Sequence, residues 1–318
     1  MAMIVCCHFF QVIGFSVVAF WLNTGVQIFF VLSAYLLCKY TFHSISDVYT
    51  FSWKRYSRIM IPLWIYLFTI VFALLVIGHS VKMDAVLFYI LGLIAFAPNG
   101  ILGLGHLWYI TAILVCYAML PVLDILLRRV KWCSVRIVAF ILIAAFVLGL
   151  FWRFSFIAYG VNVVFFLLMV VIFRKERDRE SEKYLLRLCA IPTVIFVTLS
   201  IALSKNHRSE LSYEILMTTA KCLLAVVLFC VVHLICAQIH QYALVQYLSN
   251  ISYEVYLTHQ FILLFVNRSL NAVGIQGIPN YLITFVASVP IIWIYAVVVN
   301  KSSAFVISRL RGRGKVLR

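Results

Sequence analysis

Charged side chains are scarce: they make up 11% of the 318 residues, and only ten are Asp or Glu. Soluble globular chains are about one-quarter charged and about half apolar. This chain is instead 65% hydrophobic, with a mean hydropathy of +1.08. The shortage of charge excludes a water-soluble domain, and the hydrophobic excess excludes disorder, which needs the opposite composition. Also missing is any CxxC or metal-like spacing among the nine cysteines. Most lie inside apolar runs and read as small packing residues rather than a disulfide framework. No internal repeat stands out, and no long hydrophilic domain follows the last apolar run. Residues 1–20 lack the positive n-region and small-residue cleavage site of a signal peptide, so they read as a retained span.

What is present is a series of apolar runs, each near the ~20 residues that a spanning helix needs. They fall at 2–20, 25–40, 59–78, 106–127, 136–152, 158–173, 188–204, 215–237, 251–268 and 281–300. A further run at 84–97 is short and leads through Pro98, Asn99, Gly100, Gly103 and Gly105 to His106. Charge counting decides whether it crosses. With a cytoplasmic N-terminus and no crossing there, the inner segments 39–58, 128–136, 174–187, 238–250 and 301–318 hold four, four, six, no and six Lys and Arg. The outer segments hold five: Lys82, Arg153, Lys205, Arg208 and Arg268. Such a bias is what the positive-inside rule expects, and it would vanish if 84–97 crossed and every later loop changed sides. The expected fold is therefore an all-α polytopic membrane protein of about ten transmembrane helices, with a candidate re-entrant segment at 84–105. Residues 1–300 form one transmembrane domain and 301–318 a basic cytoplasmic tail, with both termini cytoplasmic. The net charge of +16 is then an orientation signal against anionic membrane lipid rather than a nucleic-acid footprint. The sign-alternating loop 174–187 reads as a solvated helical connector.

Ionisable groups inside a bilayer are expensive and become functional candidates. His8 lies two turns into the first span, and histidine titrates where a general base or proton relay needs it. His259 shares a helical face with Tyr256, three residues before it. Glu254, near the start of that helix, suits the helix dipole, with Ser252 as its N-cap. His106 opens the run GHLWYI beside the glycine-rich approach and suits the mouth of an outer cavity. Trp108 and Tyr109 fit an interfacial aromatic belt equally well. Asp124 and Arg128 are spaced i, i+4 as a helix-end ion pair. Lys54, Arg55 and Arg58 cluster at a cytoplasmic boundary. They serve as a topology signal, or they bind a phosphate-bearing cofactor, because Arg pairs with phosphate bidentately.

Together these stretches resemble the membrane-bound acyltransferase-3 family, whose members O-acylate sugars and other envelope acceptors. The match rests on His8 in the first span, FFVLSAYLL at 29–37, KRYSRIMIPLW at 54–64, GHLWYI at 105–110 and ISYEVYLTHQFIL at 251–263. The resemblance implies that His8 is the catalytic base or acyl relay. It implies that Arg55 and Arg58, with Lys54 assisting, hold the phosphates of cytoplasmic acyl-CoA, acetyl-CoA being the commonest donor. His259 and Tyr256 would position the thioester or stabilise the oxyanion, and His106 and Trp108 would meet a glycan or lipid-linked sugar acceptor outside. No metal is expected, and the location implied is a bacterial plasma membrane. The family pattern also places an Arg ten intervening residues before the first-span histidine, a position that falls ahead of Met1, and it favours Gly where Ala34 stands. Two other classes compete with acyl transfer. One is a transporter or flippase of a lipid-linked sugar or small solute, using the buried polar groups as a pathway. The other is a glycan polymerase, against which the lack of a large outer loop counts.

Overall fold

A computed structural model describes residues 1–129, 141–146, 155–175, 179–203, 211–236 and 242–316. Among them every regular element is helical. Among the described residues, six helical stretches are long and apolar enough to cross a membrane: Ser16–Leu37, Ile45–Val76, Gly105–Arg128, Arg179–Leu203, Tyr213–Cys236 and Gly277–Leu310. The chain is a helical membrane protein. The run expected as a span at 136–152 lies outside the described residues apart from helical residues 141–146, as do Cys133, residues 176–178 of the charged loop, Lys205 and Arg208.

The helices group into two compact units, each drawn from separate stretches of chain. The first comprises Met1–Leu22, Tyr49–Thr111 and Gln241–Arg318, and the second Asn23–Val48 and Ala112–His240.

In the first unit, the expected crossing at 2–20 is two helices, α1 (Ala2–Val12) and α2 (Ser16–Leu22). Gly14 adopts φ +85°, a left-handed conformation open to glycine at little cost, and it stops α1 within an unbroken apolar run. Phe15 N–H then donates back to the Phe10 carbonyl at 2.8 Å. The segment around the candidate re-entrant piece forms only the nine-residue helix Met83–Leu91 and the short 3-10 turns Ile94–Phe96 and Gly105–Leu107. The helix Ser252–Ala272 carries Glu254, His259, Asn267 and Arg268 and is not among those six helical stretches. It packs along the 40-residue helix Gly277–Val316 and against α1. Ile262, Leu263 and Ile292 are buried between these three helices, with Phe9, Val12 and Tyr295 packed around them. At ~1.5 Å per residue, Gly277–Val316 is about 60 Å long, twice the hydrocarbon core of a bilayer. The basic segment beginning at Lys301 therefore continues the last apolar helix without a break as far as Val316.

In the second unit, Gly25–Leu37 packs on both Ser155–Lys175 and Leu211–Cys236, and the latter pairs with Arg179–Leu203. The expected Asp124–Arg128 pair forms at 2.9 Å. It is more than a helix-end contact, because Asp124 is fully buried and its other oxygen receives Arg174 at 2.5 Å. The Phe42 backbone N–H donates to the same carboxylate at 2.9 Å. Buried charges persist where they are paired and hydrogen-bonded in this way.

Candidate active site

Three histidines from distant parts of the sequence meet within the first unit. His8 comes from α1, His106 from the turn Gly105–Leu107 and His259 from Ser252–Ala272. Their ring centroids lie 5.6 Å (His8–His106), 5.0 Å (His8–His259) and 4.8 Å (His106–His259) apart. His106 and His259 are buried, while His8 is half-buried and forms the accessible side of the cluster.

The placement of His106 depends on a glycine. Gly103 adopts φ +75° and lies directly against Phe261. A Cβ there would stand 2.9 Å from Phe261 Cδ2 and 3.3 Å from Phe261 Cα. The glycine thus supplies a left-handed backbone and lets the approach segment lie on the helix surface. Three hydrogen bonds complete the junction. The His106 backbone N–H donates to Gln260 Oε1 at 3.2 Å. The Tyr256 hydroxyl donates to the His106 carbonyl at 2.5 Å. His106 Nε2 returns a bond to the Tyr256 carbonyl at 2.9 Å.

His259 Nδ1 reaches the same Tyr256 carbonyl at 2.7 Å, with the Val255 carbonyl at 3.1 Å. A carbonyl only accepts, so the ring nitrogen facing it carries the hydrogen in each case, and one backbone oxygen anchors two imidazoles. In the neutral rings His106 Nδ1 and His259 Nε2 then carry lone pairs, and neither has a hydrogen-bond partner. His8 has its Nδ1 2.6 Å from Gln11 Oε1. The cluster is therefore rich in hydrogen-bond acceptors, which suits taking a proton from a hydroxyl. Tyr256 commits its one O–H to the His106 carbonyl, so its contribution is to hold His106 in place. Trp108 is half-buried, with Tyr109 at 6.5 Å edge-on. Among the described residues no group of His, Cys, Asp and Glu is arranged to hold a metal ion.

The basic junction lies on the neighbouring helix Ile45–Val76, where Lys54 and Arg58 are exposed and Arg55 leans over the Phe51 ring at 5.6 Å. The Tyr253 hydroxyl donates to the Ile59 carbonyl at 2.8 Å, which fixes Ser252–Ala272 beside Arg58. Six residues separate Tyr253 from His259, about 9 Å along the helix. Glu254 is buried at this level; its Oε1 accepts from Asn300 at 3.1 Å and its Oε2 has no hydrogen-bond partner. The expected N-cap at Ser252 does not form. Ile251 occupies that position, and the Ser252 hydroxyl donates to the Ser249 carbonyl at 2.8 Å.

Sequence reasoning found His8, His106, His259 and Tyr256, and the structure brings these four together. It gave no role to Gln11 or Gln260, and it named Gly103 only as part of the glycine-rich approach to His106. Gln11 carried a usable signal, being the one amide on an otherwise apolar first helix, three residues from His8.

A family model described as an acyltransferase domain matches residues 1–297. No curated protein matches the chain, and no solved structure does.

Proposed function

The chain belongs to the acyltransferase-3 family, and from that premise we propose that it transfers an acyl group, acetyl from acetyl-CoA, to a hydroxyl of a cell-surface or secreted glycan. Family membership makes it a membrane acyltransferase; the donor and acceptor are this proposal's own. The observation that carries it is the meeting of three imidazoles at a half-buried His8. In this reading His8 Nε2 takes the proton of the acceptor hydroxyl as its oxygen attacks the thioester carbonyl. The new C–O bond forms, the C–S bond breaks, and the proton passes from Nε2 to the departing CoA sulfur. His259 and His106 line the reacting centre, with Tyr256 holding both through its carbonyl and hydroxyl. Arg55 and Arg58, with Lys54, hold the CoA phosphates about two turns of helix away. Trp108 and His106 face the acceptor.

The membrane arrangement that serves this reaction has about ten spans, with 84–105 as a re-entrant approach. Both termini, and the basic segment 301–318, lie on the cytoplasmic side of a bacterial plasma membrane. Acyl-CoA then arrives at the inner basic junction and the glycan from the other side.

The test is mass spectrometry of envelope glycans from cells expressing the full chain, paired with thiol release from acetyl-CoA in their membranes. His8→Ala and Arg58→Ala should each abolish acylation at normal expression. Unchanged acylation in His8→Ala cells would sink the assignment.

A further inference from the structure

We infer that Gln11 is a positioning residue that fixes the tautomer and orientation of His8, making Nε2 the nitrogen that exchanges the proton. The inference rests on the reading of His8 given above and specifies how that residue is prepared. The helix Ala2–Val12, AMIVCCHFFQV, has two strongly polar side chains, His8 and Gln11. They are three apart and so share a face. Their side chains meet at 2.6 Å between His8 Nδ1 and Gln11 Oε1. An amide oxygen only accepts, so Nδ1 carries the hydrogen and Nε2 keeps the lone pair.

The other two imidazoles do not depend on this bond, because the Tyr256 carbonyl holds both. His8 stands opposite them with Gln11 as its described hydrogen-bonding side chain. Rotation of the His8 ring by half a turn about χ2 would exchange Nδ1 with Cδ2 and Nε2 with Cε1 at little steric cost. The amide oxygen opposes that exchange, because it would lose its N–H donor to a ring carbon, and it opposes the Nε2–H tautomer, because it would then face the Nδ1 lone pair. Its own position is set by the end of the helix. Gly14 N–H donates to the Gln11 carbonyl at 3.2 Å, and Gly14 stops the helix with its φ of +85°. Gln11 thus occupies the last turn, with its side chain reaching back one turn to His8. An orienting partner on the far nitrogen is worth ten- to a hundredfold where the imidazole binds a metal, and holding the tautomer of a catalytic histidine is worth as much or more.

The experiment uses the full chain in nanodiscs, with acetyl-CoA as donor and the host's envelope glycan as acceptor. Gln11→Met keeps the length and removes the acceptor oxygen; Gln11→Glu keeps an acceptor. Gln11→Met should lower kcat about tenfold or more with little change in either KM, the pattern of an interaction that acts in the transition state. Gln11→Glu should recover most of that loss. In the wild-type chain, carbon and nitrogen NMR of labelled histidine, assigned by the signal lost in His8→Ala, should report the Nδ1–H tautomer of His8. A Gln11→Met enzyme with unchanged kcat, or a His8 protonated at Nε2 with Nδ1 bare, overturns the inference. The tautomer measurement decides even if Gln11→Met fails to fold. Full activity in His8→Ala would instead overturn the reading of the site itself.

Discussion

Tyr256 concentrates more of the site's geometry than any of the histidines it holds. Its carbonyl receives both buried imidazoles and its hydroxyl returns a bond to the His106 carbonyl. Tyr256→Phe preserves the ring and the backbone acceptor but leaves that buried carbonyl unpaired. The expected cost is about 1–3 kcal/mol, seen as a lower thermal midpoint in detergent. Acyl transfer should fall with it, because His106 loses one of its three ties to the helix. Unaltered stability would mean that water already satisfies the His106 carbonyl. His8, His259 and Tyr256 were legible in the sequence because a polar side chain in a long apolar run stands out locally. Their mutual contacts were not legible, because the His106–Tyr256 bonds join residues 150 apart in the chain.

At the scale of elements, glycine and asparagine settle where helices end and what they touch. Gly103→Ala adds a Cβ 2.9 Å from Phe261 Cδ2 in a left-handed backbone. The backbone penalty alone is about 1–2 kcal/mol, and relief requires the approach segment to lift from Ser252–Ala272. Activity should therefore drop more steeply than stability, measured by initial rate against thermal midpoint in one preparation. The same helix is tied to Gly277–Val316 by a buried amide network. Asn280 accepts from Asn267 Nδ2 at 2.8 Å and from the Thr284 hydroxyl at 2.9 Å, and it donates to Asn271 Oδ1 at 3.0 Å and the Ile275 carbonyl at 2.9 Å. Asn280→Ala strips these partners at once and should cost about 2 kcal/mol or more, again read as a loss of thermal midpoint. Helical runs were visible from hydropathy, yet the break at residues 13–15 was not. A single glycine in an apolar stretch is compatible with a continuous helix. The structure shows the stop in the φ of +85° at Gly14, two residues past Val12, the last α1 residue that packs on Ile262, Leu263 and Ile292.

For the whole molecule, the distribution of Lys and Arg makes a prediction about sidedness. In a chain whose native cysteines are replaced, a cysteine put at Lys82 should react with a membrane-impermeant maleimide in intact cells. Cysteines at Lys54 or Lys301 should react only after permeabilisation. The reverse pattern would invert the proposed orientation and leave the basic junction on the wrong side for cytoplasmic acyl-CoA. Within the second unit, Asp124→Ala should destabilise by about 3–5 kcal/mol, since Arg128, Arg174 and the Phe42 N–H all lose their common acceptor. The Asp124–Arg128 half of that centre follows from i, i+4 spacing. Arg174, fifty residues later, does not.

The sequence by itself determined that this chain is a helical membrane protein, which family it belongs to, and which polar residues sit in apolar surroundings. Composition and one-dimensional periodicity are local quantities, and they suffice for those conclusions. Only the tertiary structure decided that three histidines share one centre, that one carbonyl holds two of them, that Gln11 meets His8 and that Gly103 lies against Phe261. Those facts depend on distances between helices and on the direction of individual lone pairs, and neither quantity is written in the order of residues.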